Sequence, residues 1–173
     1  MRELTAHRVD NHLNRKLDRH DWLGGGVLLL AAAFVAVSGS TVSAGAIRGW
    51  YAGLDKPEWS PPNWVFGPVW TVLYLMMTVA AWLVWLRREK EAITGALAVY
   101  GLHLLFNAAW SPLFFGLRNP DAALVDAILL WATVAVNIAM FYHIRLLSGL
   151  LLVPVLLWVS FAVSLNAAIV ALN

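Results

Sequence analysis

The sequence predicts an all-α integral membrane protein built as a five-transmembrane-helix bundle, and three observations carry that expectation. Sixty-one per cent of the 173 residues are hydrophobic and only 13% are charged. The mean hydropathy is +0.70, whereas soluble domains run near half apolar and about a quarter charged. Charged residues also divide the chain into five apolar blocks of 22 to 26 residues, each long enough to cross a hydrocarbon core of about 30 Å as a tilted helix. Backbone polar groups in lipid must bond internally, so helices are the expected form of every block.

The elements follow in order. Residues 1–21 form a charged N-terminal tail in which Arg2, Arg8, Arg15, Lys16 and Arg19 mix with Glu3, Asp10, Asp18 and Asp21. Mixed charge without an apolar period predicts a solvated segment or a short surface helix. The membrane domain occupies 22–173. Its first span, 22–47, carries no charge, exceeds the apolar core of a secretory signal and lacks a clear cleavage site, so it is expected to remain as a helix. A loop with Asp55, Lys56, Pro57, Glu58, Pro61 and Pro62 separates it from a span at 64–86, which stops at Arg87, Arg88, Glu89, Lys90 and Glu91. Further spans are expected at 92–115, 122–143 and 147–172, with Asp126 the one acid among them.

Basic residues predict the orientation. The tail, the loop after the second span and the turn after the fourth hold nine Lys or Arg, against three on the other side. That bias places the N-terminus in the cytoplasm of a bacterial cell. The absence of cysteine excludes disulfides, thiolate chemistry and cysteine-based metal sites. A net charge of +2 is too small to point to nucleic acid. The five histidines offer no ligand pair at helical spacing, so no metal site is expected. Phosphate-cradling loops, nucleophile elbows and paired catalytic carboxylates are also missing.

The ten tryptophans are the most unusual feature of the composition. Trp22, Trp64, Trp82 and Trp85 lie near span ends and suit an interfacial belt. Trp70, Trp110, Trp131 and Trp158 lie deeper, where an indole N–H needs a partner, so they are candidates for a cavity wall or for helix packing. Phe66, Trp70 and Tyr74 recur at four-residue spacing and form one aromatic stripe. His103, Asn107 and Trp110 share a face of the third span, and Trp158, Ala162, Leu165 and Asn166 a face of the fifth. Asn107 and Asn166 must face another helix or a cavity, as interhelical glue or as ligand contacts. Asp126 shares its face with Thr133 and Asn137. In the first span Ala32, Ala36, Gly39, Ser40 and Ser43 are small enough for close helix packing.

The run from Trp50 through Tyr51, Lys56, Trp59, Pro61, Pro62, Asn63 and Trp64 to Phe66, Pro68, Trp70 and Tyr74 is distinctive. Asn107, Trp110, Pro112, Phe114 to Gly116, Asp126, Pro154, Trp158 and Asn166 follow in order. Together they resemble the signature of the translocator protein family, also called tryptophan-rich sensory proteins (TspO) or peripheral benzodiazepine receptor-like proteins, over about residues 25 to 170. The resemblance implies a five-helix bundle, a homodimer, and a pocket beneath the first loop that takes porphyrins such as protoporphyrin IX and haem-pathway intermediates, for sensing, sequestration or transport. On that resemblance no cofactor is expected; porphyrin would be the ligand, and membrane lipid and a second copy the other partners. Carried over residue by residue, the pocket would use Tyr51, Pro61, Phe66, Trp70, Tyr74, Asn107, Trp110, Ala127, Trp158, Ala162 and Leu165. Trp70 and Trp158 match the pair linked to light- and oxygen-dependent porphyrin breakdown, and would be catalytic if the chain were such an enzyme. A sterol or lipid carrier, or a membrane scaffold, is the third reading. Val155 stands where many members have Tyr, and no basic residue follows Arg145, so the cholesterol-recognition pattern of the animal proteins is missing.

Overall fold

A computed structural model describes residues 17–173. Five long helices form a membrane bundle: α1 Arg19–Ile47, α2 Phe66–Trp85, α3 Thr94–Ser111, α4 Pro120–Ile144 and α5 Leu146–Leu172. All five are long and apolar enough to span a bilayer. Short 3-10 turns, Trp50–Gly53 and Asn63–Val65, shape the loop between α1 and α2, and a π-helical turn, Pro112–Gly116, extends α3. Connections elsewhere are short, so consecutive helices run antiparallel. The N-terminal end of α1 therefore lies beside the α2–α3 loop and the α4–α5 turn, and the Pro- and Trp-rich loop lies at the opposite end. Exposed leucines, valines and Phe34 cover the outside, as lipid contact requires. The larger buried cluster, including Met77, Val84, Tyr100, Val134 and Phe141, fills the end of the bundle away from that loop.

The helix bounds differ from the sequence expectation in two instructive places. Positions 1–16 of the expected tail lie outside the described residues, but Arg19 to Asp21 belong to α1. Asp18 caps that helix: its Oδ1 accepts from Asp21 N at 2.8 Å, while its own N–H donates to Asp21 Oδ2 at 3.0 Å. The two exchanged bonds satisfy donors that a helix start otherwise leaves open. Asp21 is fully buried and accepts from Arg88 Nη1 at 2.5 Å, and Arg88 also lies 3.7 Å from Asp18. This bond to Asp21 holds the Arg88 guanidinium pKa above its usual value. Trp82 Nε1 donates to Asp21 O at 2.9 Å and Trp85 Nε1 to His20 O at 3.3 Å. Trp82 and Trp85, expected simply to anchor in the headgroup belt, thus clamp the start of α1 onto the end of α2. Gly24 and Gly25 make room for the two indoles; a Cβ on Gly24 would come within 2.1 Å of Trp85 Nε1. Replacing Arg88 with Met should cost about 2 kcal/mol, the scale of a charge-assisted bond lost at a buried acceptor. Thermal unfolding in lipid nanodiscs checks this, and an unchanged midpoint would refute the clamp.

The second difference is at the end of the third span, expected to run unbroken to residue 115. Pro112 has no N–H to give to the preceding turn, and the ladder widens so that Leu117 N bonds Pro112 O at 2.8 Å, the wider spacing of a π-bulge. Asn119 N then returns to Leu113 O at 3.1 Å, and Arg118 adopts φ 52°. A left-handed residue closing a helix in this way is ordinarily glycine. Arg118→Gly should therefore stabilise the fold by about 1 kcal/mol, the usual cost of a side chain in that region, visible as a higher unfolding midpoint. A lower midpoint would show that the arginine side chain matters more than its backbone.

Candidate functional site

Between the helices, at the loop end, lies a cavity of about 570 Å³, within the range of about 300–1,000 Å³ typical of small-molecule sites. The loop contributes Tyr51, and α2 contributes Phe66, Trp70 and Tyr74, the stripe at four-residue spacing. From α3 come Asn107 and Trp110, from α4 Ala127, and from α5 Trp158, Ala162 and Leu165. Ten of the eleven residues expected to contact ligand thus share one lining, and Pro61 is outside it. The loop folds so that Tyr51 is the side chain turned in, while Pro61 stays half-buried ahead of the Asn63–Val65 turn.

Sequence reasoning missed part of the wall. Ala36, Gly39, Ser40 and Ser43 of α1, expected to seat a neighbouring helix, also line the cavity, and Gly39 does seat α3, since a Cβ there would lie 3.2 Å from Ser111 Oγ. Of that series, Ala32 is packed, with 1% exposure. Ser43 satisfies itself by donating to Gly39 O at 2.8 Å, so the wall stays smooth. Val37 and Thr71 belong to the lining and are exposed, so the cavity reaches the lipid-facing surface between α1 and α2. Trp64, assigned to the belt by its position, is 74% exposed and also borders the cavity. Trp131 is not in the wall: it is 41% exposed, faces outward beside α5 and donates to Ser160 Oγ at 2.8 Å.

An aromatic cluster closes the loop end. Trp110 stacks on Phe114 at 4.8 Å, and Tyr51 meets Phe114 and Phe115 edge-on at 6.0 and 5.6 Å. The π-helical turn turns Phe114 inward, where it is 1% exposed. Such pairs are worth about 0.5–1.5 kcal/mol each beyond their buried area. Lys56 holds the loop down: its Nζ donates to Tyr51 O at 2.9 Å and Leu54 O at 2.7 Å, and lies 4.9 Å from the Tyr51 ring centre. Burial pushes the Tyr51 phenol above its usual pKa, against an opposing hydrogen bond with Ser60. At the far end of the same loop, Trp59 meets Phe161 of α5 at 5.8 Å.

Polar groups are few and placed with purpose. Trp110 Nε1 donates to Asn166 Oδ1 at 3.1 Å, and Asn166 Nδ2 donates to Pro120 O at 2.9 Å. Asn166 therefore acts as a bridge from α5 to α3 and α4. Replacing it with Leu leaves the Trp110 donor without its partner and removes the bond to the Pro120 carbonyl, and should cost about 2 kcal/mol, read as a fall in the unfolding midpoint; no fall would refute the bridge. Tyr74 donates its hydroxyl to Asn107 Oδ1. Asn107 Nδ2 and Trp158 Nε1 are buried donors in the cavity wall with no protein partner. Asp126 is buried in α4 but does not line the cavity. Among the described residues no group of three or more His, Asp or Glu is placed to hold a metal ion.

The comparisons with known proteins agree with this architecture. The family model for the TspO/MBR family matches residues 27–172. The chain is 40% identical over 147 residues to tryptophan-rich protein TspO of Chlorobaculum tepidum, covering 84% of this chain and 91% of that protein. It is 41% identical over 145 residues to tryptophan-rich protein TspO of Archaeoglobus fulgidus, with 84% and 94% covered. The human translocator protein is 39% identical over 147 residues, with 84% and 87% covered. Helix count, aromatic cavity and sequence match converge, and the chain belongs to the TspO/MBR family.

Proposed function

We propose that this membrane protein binds porphyrins in the aromatic cavity, for sensing, sequestration or transport. The observation that carries the reading is the cavity itself: about 570 Å³, walled by Phe66, Trp70, Tyr74, Trp110 and Trp158. Flat macrocycles gain both area burial and ring contact against such walls. The two unpartnered donors, Asn107 Nδ2 and Trp158 Nε1, suit acceptor atoms on the guest. Porphyrin carboxylates would remain at the rim, where Arg48 is exposed; Lys56 already gives two bonds to backbone carbonyls. On the same reading the protein works as a homodimer in a bacterial cell membrane, with its N-terminus in the cytoplasm.

Titration of the purified protein in nanodiscs with protoporphyrin IX, in the dark, tests this through quenching of the indole fluorescence. Saturable quenching with one porphyrin per chain is expected. Quenching that rises linearly with porphyrin, as in empty nanodiscs, would overturn the proposal.

A second reading, light- and oxygen-dependent porphyrin degradation, is favoured by one observation: Trp70 and Trp158 both face the cavity. Under illumination the porphyrin spectrum should then decay faster with the wild type than with a Trp70→Phe/Trp158→Phe double variant, while dark binding persists in both. Equal decay rates would leave binding as the function. Displacement of porphyrin by a sterol at the same site would instead favour a lipid carrier.

A further inference from the structure

The cavity meets its surroundings differently on two sides. On the loop side the chain is tied down. Lys56 Nζ donates to Tyr51 O and Leu54 O, and Trp59 packs edge-on against Phe161. Asn173 grips the same loop from the end of α5: its Oδ1 accepts from Asp55 N at 3.0 Å, and its Nδ2 donates to Asp55 O at 2.9 Å. Beneath these ties Tyr51, Trp110, Phe114 and Phe115 close ring on ring.

The side between α1 and α2 is open. Near the α2–α3 loop the two helices touch, with Trp85 and Trp82 seated against Gly24 and Gly25. Toward the Pro- and Trp-rich loop α1 leans on α3 instead: a Cβ at Gly39 would lie 3.2 Å from Ser111 Oγ, and one at Gly116 would lie 3.7 Å from Val42 Cγ1. The rim left between α1 and α2 is a pair of stripes at helical spacing, Val37, Ser40 and Ala44 on one edge and Trp64, Gly67 and Thr71 on the other. All six line the cavity and are exposed. Ser40, Ala44, Gly67 and Thr71 are small and leave the slot between the edges unobstructed. Both hydroxyls bond within their own helices, Ser40 Oγ to Val37 O and Thr71 Oγ1 to Gly67 O, each at 2.9 Å, the form in which hydrocarbon tolerates them. None of the described residues lining the cavity is charged, so an apolar ring meets no buried charge on this path.

We propose that this slot is the entrance to the cavity: the guest dissolves in the bilayer first and passes sideways between α1 and α2, while the loop stays shut. For porphyrin this rests on the binding proposed above; the slot itself suits any flat, bilayer-soluble molecule. Trp64 at the loop end of the slot and Arg48 just beyond α1 are both exposed. They mark the headgroup level, where the carboxylates of an amphipathic guest remain while its ring slides in.

Two measurements on the full chain test this, one of them without porphyrin. In nanodiscs containing phosphatidylcholine with a diazirine on one acyl chain, illumination should label the wild type at Trp158 and Ala162 of the cavity wall, as well as at lipid-facing Leu157, which is 65% exposed. In Ser40→Leu/Gly67→Leu, which fills the slot from both edges, wall labelling should drop several-fold relative to Leu157. A Cβ at Gly67 meets nothing within 4 Å and Ser40 is exposed, so this variant should fold. An unlabelled wall in the wild type, or undiminished wall labelling in the variant, would overturn the proposal. The second measurement loads the protein in liposomes with protoporphyrin IX in the dark and dilutes it into excess empty liposomes, where recovery of indole fluorescence gives the rate of escape. Escape should be several-fold slower from the slot variant, since an obstructed path delays departure whereas a lost contact hastens it. It should be unchanged in Asn173→Ala, which frees the loop. Unchanged or faster escape from the slot variant, or faster escape from Asn173→Ala, would overturn the proposal by moving the path to the loop. If the wild type shows no saturable quenching, the porphyrin reading fails, and the photolabelling alone decides on the entrance.

Discussion

Replacing Gly149 with valine is expected to be among the most damaging single changes in this chain, lowering stability by about 3 kcal/mol as forced overpacking does. A Cβ at Gly149 would lie 2.7 Å from Tyr142 Cβ and, more seriously, 2.8 and 2.9 Å from the Tyr142 Cα and N. Side chains can rotate away from such a contact but backbone cannot. The two helices would have to separate just after the tight turn at Arg145, where α4 and α5 begin their long shared interface. Gly149→Ala should show the same sign at smaller size. Thermal unfolding in nanodiscs provides the readout, and an unchanged midpoint for the valine variant would show that the turn is more compliant than its geometry implies.

The largest effect on ligand binding should come from filling the cavity. Ala162 lies one turn beyond Trp158 on α5, within the wall. Ala162→Phe places a ring in space the ligand needs, without burying a polar group or breaking a hydrogen bond. Porphyrin affinity should fall at least about tenfold, equivalent to about 1.4 kcal/mol, while the unfolding midpoint holds or rises. Ala127, 2% exposed on the neighbouring helix α4, offers the same test from another part of the wall. A variant that loses stability along with affinity would point to disturbed packing rather than to occupancy.

Much of this architecture is visible in the residues. Hydropathy alone separates five spans, because lipid demands long uncharged helices and tolerates little else. The Phe66, Trp70 and Tyr74 stripe is legible because helical spacing puts three rings on one face, and the wall confirms that all three turn inward. What spacing cannot supply is depth and partner. His103 shares a face with Asn107 and Trp110, yet the cavity ends at Asn107, and the next turn is enclosed by Tyr100 and Asn137. Trp131 sits as deep in its span as Trp158 does, but only the packing of α4 against α5 shows that one faces outward and the other inward.

Charge misleads for a related reason. Asp18 and Asp21 belong to a segment whose composition suggests solvent. Their fate is decided by Arg88, 67 residues beyond Asp21, and by two indoles on the same helix end. Small residues are read only in part. Ala36, Gly39 and Ser40 have the spacing of a packing seam, and Gly39 does meet Ser111 of α3, but all three also border the space between the helices, so the seam doubles as a cavity wall.

The central claim is that porphyrin occupies the space between the helices rather than the surrounding lipid. The most direct measurement is a parallel dark titration of three proteins with protoporphyrin IX: the wild type, the cavity variant Ala162→Phe and the lipid-facing variant Trp131→Phe. The wild type and Trp131→Phe should bind with the same Kd and one porphyrin per chain, and Ala162→Phe should bind at least about tenfold more weakly. Identical curves for all three proteins would contradict the account, because they would place the porphyrin outside the cavity.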